Sequence, residues 1–281
     1  MSKIAIVTDS TSSLPDQIRT MYNVHVLPQV LIWGEETMLD GIDISADQFY
    51  RRLASSKVSP TTSQVTIAAF KEIYARLSDQ GYHILAILVS RRLSGTLSSA
   101  EQALELVPDA HVTIIDSNTT AMAMGYQIIT AGKAIAQGAS IPEIVKQVES
   151  VKTRSSVLIT PETLEYLHRG GRIGNATRFL GTALNLKPIL HVPDGLVEPL
   201  ERVRTRSKAI QRLVDIVHER GNGRPVYISP LHANILQDAQ EVERLAKAKL
   251  NVVESIISNV SPVVGTHVGP GTVGIAYMFA E

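Results

Sequence analysis

Ile84-Leu85-Ala86-Ile87-Leu88-Val89-Ser90-Arg91-Arg92-Leu93-Ser94-Gly95-Thr96 carries the clearest fold signal in the chain. Six apolar residues run without polar alternation, which suits a parallel strand covered by helices on both faces; a half-exposed antiparallel strand would alternate. Helical spacing follows at once over Leu97 to Val107. The same rhythm extends outward in both directions. Ile4 to Val7 reads as a buried strand, and Leu14 to Met21 as a helix with Pro15 at its opening, where a missing N–H costs least. Val24 to Trp33 is extended. Ala46 to Leu53 and Ile67 to Leu77 are helices, the second with Ile67, Phe70, Tyr74 and Leu77 on one face. Val112 to Ile115 is a strand, Met122 to Ala136 a helix, and Ile141 to Val151 another, with Ser140 as N-cap and Glu143 at the capping-box position. This alternation predicts an α/β fold whose N-terminal part is a mostly parallel sheet between helix layers.

Beyond Thr153 the pattern changes. Val157 to Ile159 reads as a strand, Glu162 to Leu167 as a short helix stopping at Gly170-Gly171, and Ala176 to Leu184 as a helix. Hairpin-like segments surround Pro193-Asp194-Gly195. Ser207 to Arg220 is helical, Val226 to Ser229 a strand, and Leu236 to Leu250 a helix. Two α/β domains are expected, residues 1–153 and 154–281, the second with a mixed sheet and helices.

Composition narrows the function. The chain has 281 residues with 27 Lys+Arg against 27 Asp+Glu, so no sequence-wide field exists to hold nucleic acid or an anionic membrane. Any anion must be held locally. With 44% hydrophobic and 19% charged residues, disorder, collagen and coiled coil are poor descriptions. Cysteine is absent, which removes thiol catalysis and thiolate metal sites and fits a reducing compartment. MSKIAIVTDS does not have the layout of a signal peptide. Residues 255–280 lack Asp, Glu, Lys and Arg, but Pro262, Gly265, Gly269, Pro270, Gly271 and Gly274 punctuate them. They read as a strand, a glycine-rich loop and a second strand rather than a membrane span. A soluble, cytoplasmic protein without stable membrane insertion is expected.

Small polar residues collect after the strands, where open α/β sheets bind ligands. Thr8-Asp9-Ser10-Thr11-Ser12-Ser13 follows the first strand, either as helix caps or as ligand groups. Pro60-Thr61-Thr62-Ser63-Gln64 precedes a helix. Ser94-Gly95-Thr96 sets hydroxyls and free N–H groups at a helix N-terminus, where an anion is at home. Gly265 to Gly274 contains a formal G-x-G-x-x-G, yet only seven residues follow Gly274, so the dinucleotide reading fails on context. His267, between two glycines in an uncharged stretch, reads as structural or as functional. Tyr166-Leu167-His168-Arg169-Gly170-Gly171-Arg172-Ile173 ends a helix at Gly170 and sets Arg172 just beyond, free to face an anion. Arg202, Arg204 and Arg206 would share one face if they lay on a strand, as an edge guard or as a docking patch for an acidic partner.

Taken in order, Thr8-Asp9-Ser10-Thr11, Pro60-Thr61-Thr62-Ser63-Gln64, Leu93-Ser94-Gly95-Thr96, Asp116-Ser117, Leu164-Glu165-Tyr166-Leu167 with Gly170-Gly171-Arg172-Ile173, Lys187-Pro188-Ile189-Leu190, Arg204-Thr205 and His267-Val268-Gly269-Pro270-Gly271 resemble the DegV family of bacterial fatty-acid-binding proteins. The resemblance covers essentially the whole chain. It implies one long-chain fatty acid in a tunnel between the domains, with hydroxyls matching Thr62 and Ser94 on the carboxylate and His267 beside them. Asp9, Ser10, Thr61, Gly95 and Thr96 complete the candidate ligand site. The resemblance further implies a separate fatty acid kinase subunit that phosphorylates the bound acid, docking through arginines matching Arg172 and Arg204. The acyl-phosphate then goes to phospholipid synthesis through an acyltransferase. No catalytic residue, metal or cofactor is called for beyond the bound fatty acid. The chain departs from the family at Leu97, where an aromatic commonly follows Ser-Gly-Thr.

The chemistry is compatible: burial of the tail yields about 0.8 kcal/mol per CH₂, and a carboxylate needs hydrogen bonds to avoid the cost of bare burial. Two other readings compete. Asp9, Ser94 and His267 could form a hydrolase triad, although Ser94 lacks the G-x-S-x-G elbow. A carrier or regulator of another small anion is the second.

Overall fold

A computed structural model describes residues 3–180 and 186–281. In chain order the first half runs β1 (Lys3–Asp9), α1 (Asp16–Met21), β2 (Val24–Leu27), β3 (Val30–Trp33), β4 (Glu36–Leu39), α2 (Ala46–Ser55), β5 (Thr61–Ser63), α3 (Ile67–Asp79), β6 (Tyr82–Leu88), α4 (Thr96–Glu105), β7 (Val112–Asp116), α5 (Ala121–Ala136) and α6 (Ile141–Arg154). The second half runs β8 (Ser155–Thr160), α7 (Glu165–Arg169), β9 (Lys187–His191), β10 (Glu198–Val203), α8 (Arg206–Gly221), β11 (Val226–His232), α9 (Leu236–Lys249), β12 (Val252–Ser255), β13 (Ser258–Asn259), α10 (Pro262–Val268) and β14 (Val273–Phe279).

The first sheet, in the order β2-β1-β6-β7, is entirely parallel. Its central strands β1 and β6 lie buried on both faces, as the unbroken apolar run over 84–89 requires. Ala5, Val7, Ile84, Ala86 and Leu88 pack under Phe70, Tyr74 and Leu97 of α3 and α4. The alternate residues Ile6, Leu85 and Ile87 face the other way, toward Met122 and Tyr126 of α5. Helix α5 is buried around most of its circumference, the mark of a helix enclosed by protein. Beyond it lies the second sheet, β10-β9-β8-β14-β11-β12 with β13 beside β11, antiparallel except at β12 and β13. Val157, Ile159 and Ala276 join the α5 core, whereas Leu158, Ile275 and Tyr277 meet Leu213, Val217 and Val242 of α8 and α9. The period of two along each strand thus divides each of these two sheets between two helical layers. The residue 153/154 division falls at the end of α6, just before β8.

Four expectations are corrected. Val24 to Trp33 is two strands in different sheets, because Pro28 lacks a ladder donor and the chain turns there. Strand β3 instead anchors a small antiparallel sheet, β4-β3-β5, in which Thr61–Ser63 of the segment that precedes α3 form β5. The glycine-rich loop before the last strand contains helix α10: Ser261 caps it, Pro262 opens it, and Gly269 ends it at φ 78°. Arg202, Arg204 and Arg206 do not share a strand face, since β10 ends at Val203 and α8 begins at Arg206. Arg202 lies over the Phe179 ring, and Arg206 bonds Asp238 and the Gly271 carbonyl. Of the expected helix Ala176 to Leu184, a 3₁₀ turn covers Gly174–Phe179, and its end lies outside the described residues.

Candidate functional site

The first sheet reverses its winding between β1 and β6, so the loops after these strands diverge and open a crevice. Where the backbones part, side chains continue the ladder. Thr8 Oγ1 donates to the Ile87 carbonyl at 2.7 Å, and Asp9 Oδ2 accepts from Val89 N at 2.8 Å. Asp9 Oδ1 accepts from both Thr11 N (3.0 Å) and Thr11 Oγ1 (2.6 Å). Fully buried, its carboxyl is pushed above the usual range by desolvation, against the pull of these donors. Ser10 Oγ donates to buried Asp40, whose other oxygen accepts from Val263 N at the start of α10. Asp9 and Ser10 therefore tie elements together, and neither lines the cavity beyond.

That cavity lies between the sheets. Its apolar wall includes Val157, Ile159, Leu231, Val260, Val263 and Val264, and it reaches Thr11, Val89 and Ala121 on the first-sheet side. One pole is polar, built from Thr62, Ser94, Gln29, Arg172 and His267. Register places Thr62 opposite Leu31 on the small sheet, and α10, packed on that sheet, brings His267 Nε2 to 2.8 Å from Thr62 Oγ1. Gly170 caps α7 directly under the imidazole; a Cβ there would collide with His267 Nδ1. Burial, with the Arg172 charge adding to it, pushes His267 down to about 4, so it is neutral at neutral pH. Nδ1 is buried with no hydrogen-bond partner. With the proton on Nε2, the imidazole donates to Thr62 and frees the Thr62 hydroxyl to donate onward.

A second hydroxyl chain runs from Gln29. Its amide Nε2 donates to Thr96 Oγ1 at 2.8 Å, and Thr96 Oγ1 lies 2.9 Å from Ser94 Oγ. Because the amide nitrogen only donates, the Thr96 proton can pass to Ser94, leaving Ser94 O–H for the cavity. Arg172 is held by the Leu93 and Gly170 carbonyls at 3.0 and 2.7 Å, and it lines both this pole and a neighbouring pocket with Thr61 and Arg169. Arg169 bridges Ser59 and Glu165 across that pocket.

Sequence-predicted residues thus separate. Thr62, Ser94, His267 and Arg172 meet at one pole; Thr61 faces the adjoining pocket; Gly95 and buried Thr96 stand behind Ser94. Arg204 is exposed on the connection into α8. Leu97, where the family pattern differs, is buried against the first sheet and does not line the cavity. The triad alternative fails: His267 bonds Thr62 rather than Ser94, and Asp9 bonds Thr11 and Val89 rather than His267. Gln29 was not singled out, although a lone amide amid Val26-Leu27-Pro28 and Val30-Leu31-Ile32 is a visible signal. Among the described residues no cluster of three or more His, Asp or Glu could hold a metal, and no helix is long and apolar enough to cross a membrane.

Comparison with known proteins agrees with this architecture. Residues 3–280 match the family described as "Uncharacterised protein, DegV family". Protein DegV of Bacillus subtilis is 34% identical over 278 residues, covering 98% of this chain and 99% of its own. The solved structure of that organism's DegV, called a fatty acid binding protein, superposes with a TM-score of 0.91 at 33% identity over the full length of both chains. A Thermus thermophilus DegV family protein, solved for its fatty acid binding, gives a TM-score of 0.92 at 30% identity over 99% of this chain and 100% of that one. From the first strand to the last, this chain belongs to the DegV family.

Proposed function

We propose that the protein binds one long-chain fatty acid in the cavity between its two halves, residues 1–153 and 154–281, and presents the carboxylate to a separate kinase. The observation that carries this reading is the pairing of an apolar wall with a polar pole that includes Thr62, Ser94, Arg172 and His267. An acyl chain gains about 0.8 kcal/mol per buried CH₂, so the wall supplies affinity. The pole supplies hydroxyl donors, which satisfy a carboxylate beside the Arg172 guanidinium that lines the same cavity. Arg172, held at the pole by two carbonyls, can steady charge that builds there during transfer, and exposed Arg204 offers a contact for the kinase. In this reading the chain is a carrier and not the catalyst. Its acyl-phosphate passes to an acyltransferase of phospholipid synthesis, and the whole cycle runs in the cytoplasm.

Native mass spectrometry of the purified protein tests the proposal. One fatty acid per chain is expected, with occupancy reduced in Thr62→Ala and Ser94→Ala. No bound lipid, together with no rise in Tm on adding palmitate or oleate, would overturn it.

A further inference from the structure

A second cleft, of about 450 Å³, opens elsewhere on the junction between the two halves and shares only Val192 with the acyl cavity. One wall is the loop after β7, with Ser117, Asn118 and Thr119. The facing wall brings Arg154 from the end of α6, His191 from the end of β9, Arg220 from the end of α8 and Arg224 from the connection after it.

Four basic side chains, Lys152, Arg154, Arg220 and Arg224, line the cleft with one carboxylate, Asp194, and Lys152 is bridged to Glu149. Arg220 bonds Tyr277 Oη at 2.9 Å; Arg224 bonds the Gly221 carbonyl at 3.2 Å and lies over the Phe279 ring. Among the described residues neither arginine meets a carboxylate. Arg154 uses its terminal nitrogens on the Phe279 carbonyl and on Glu281, while its buried Nε has no partner. Burial, with Arg220 reinforcing it and Glu198 opposing, pushes His191 down to about 4, so the imidazole adds no charge of its own. Two further unpartnered buried atoms, Thr119 Oγ1 and Gln127 Oε1, belong to residues lining the same cleft. Three such atoms around one opening, where buried polar groups are ordinarily paired, indicate a site shaped for a polar ligand.

We infer that this cleft binds a small phosphate-bearing molecule, its phosphoryl group on Arg220, Arg224 and Arg154 and its body against Gln127 and the loop after β7. A dianion matches the two arginines that lack carboxylate partners, and guanidinium forks fit tetrahedral oxyanions. Gln127 Oε1 only accepts, so a bare phosphate leaves it unsatisfied, whereas a hydroxyl or N–H on an attached body satisfies it. The volume lies within the range of small-molecule sites and exceeds what one phosphate fills.

Titration calorimetry on the whole protein with inorganic phosphate, ribose 5-phosphate and AMP, at ionic strength matched with sodium chloride, tests this. Ribose 5-phosphate or AMP should bind at least about ten-fold tighter than inorganic phosphate. Arg220→Gln and Arg224→Gln should each weaken that binding by about ten-fold or more, the loss expected for one charge-assisted hydrogen bond. Thr62→Ala should leave it unchanged. Arg224 is exposed, so its replacement keeps the test valid if Arg220→Gln, which loses the Tyr277 bond, fails to fold. Binding no stronger than the chloride reference, or binding unaffected by Arg224→Gln, would overturn the site. Phosphate binding as tightly as its esters would overturn the role given to Gln127. Uptake of hexaglutamate by the same arginines in place of the phosphate esters would overturn the ligand class.

Discussion

Two hydroxyl-rich segments follow adjacent parallel strands, Thr8 to Ser13 after β1 and Ser90 to Thr96 after β6, and they have opposite fates. In the first, Asp9 accepts three hydrogen bonds and is wholly enclosed, so it holds the switch point together. In the second, Ser94 Oγ meets only the hydroxyl and, at 3.3 Å, the backbone N–H of Thr96, which leaves its own proton free, and it lines the cavity. What separates a polar cluster that ties elements together from one that lines the cavity here is hydrogen-bond saturation, since a group whose valences are spent internally has nothing left to offer outward.

Asp9→Ala should have the largest effect. It strands Val89 N and two Thr11 donors in the interior and should cost roughly 2 to 4 kcal/mol, read as a lower urea midpoint. Ser94→Ala should cost about 1 kcal/mol or less in the same assay while lowering lipid occupancy. Equal destabilisation by the two would erase the distinction.

A pH experiment sharpens it from the His267 side. The folded imidazole titrates near 4 and the unfolded one near 6.5, so between these values the unfolded chain holds more protons. Stability therefore falls as pH drops through that window. Between pH 7 and 5 this group accounts for about 2 kcal/mol, at about 1.4 kcal/mol per unit. His267→Gln should lose less stability than the parent over that interval by roughly this amount; identical pH profiles would mean that His267 is not held neutral. Far from the site a change in stability is expected with no effect on the ligand. Ser140→Ala removes a capping box at the start of α6 and should cost about 1 kcal/mol with no change in lipid content.

Much of the fold was legible because local physics carries it. The run at 84–89 is buried on both sides as its composition demands, and Ser140 with Glu143 forms the capping box its spacing announces. Helix α10 was written in Ser261, Pro262 and Gly269, yet Val263, Val264 and Val268 are weak helix formers and the surrounding glycines suggest a loop. There packing on α2, α7 and the small sheet prevails over propensity. The small sheet was harder still, since β4 and β5 are only four and three residues long and are defined by pairing with β3.

The candidate site divides in the same way. Thr62, Ser94, His267 and Arg172 are recognisable by residue type and loop position, but 205 positions separate Thr62 from His267, and no local rule brings them to 2.8 Å. By itself, the sequence determined the parallel core, the absence of any overall charge to hold a polyanion, and the set of residues able to bind an oxyanion. Which of them face the cavity and which serve as internal ties was decided only when α10 docked on the small sheet and β1 parted from β6. The physical reason is that hydrogen-bond saturation and burial belong to the assembled neighbourhood, and each side chain's neighbours come from distant parts of the chain.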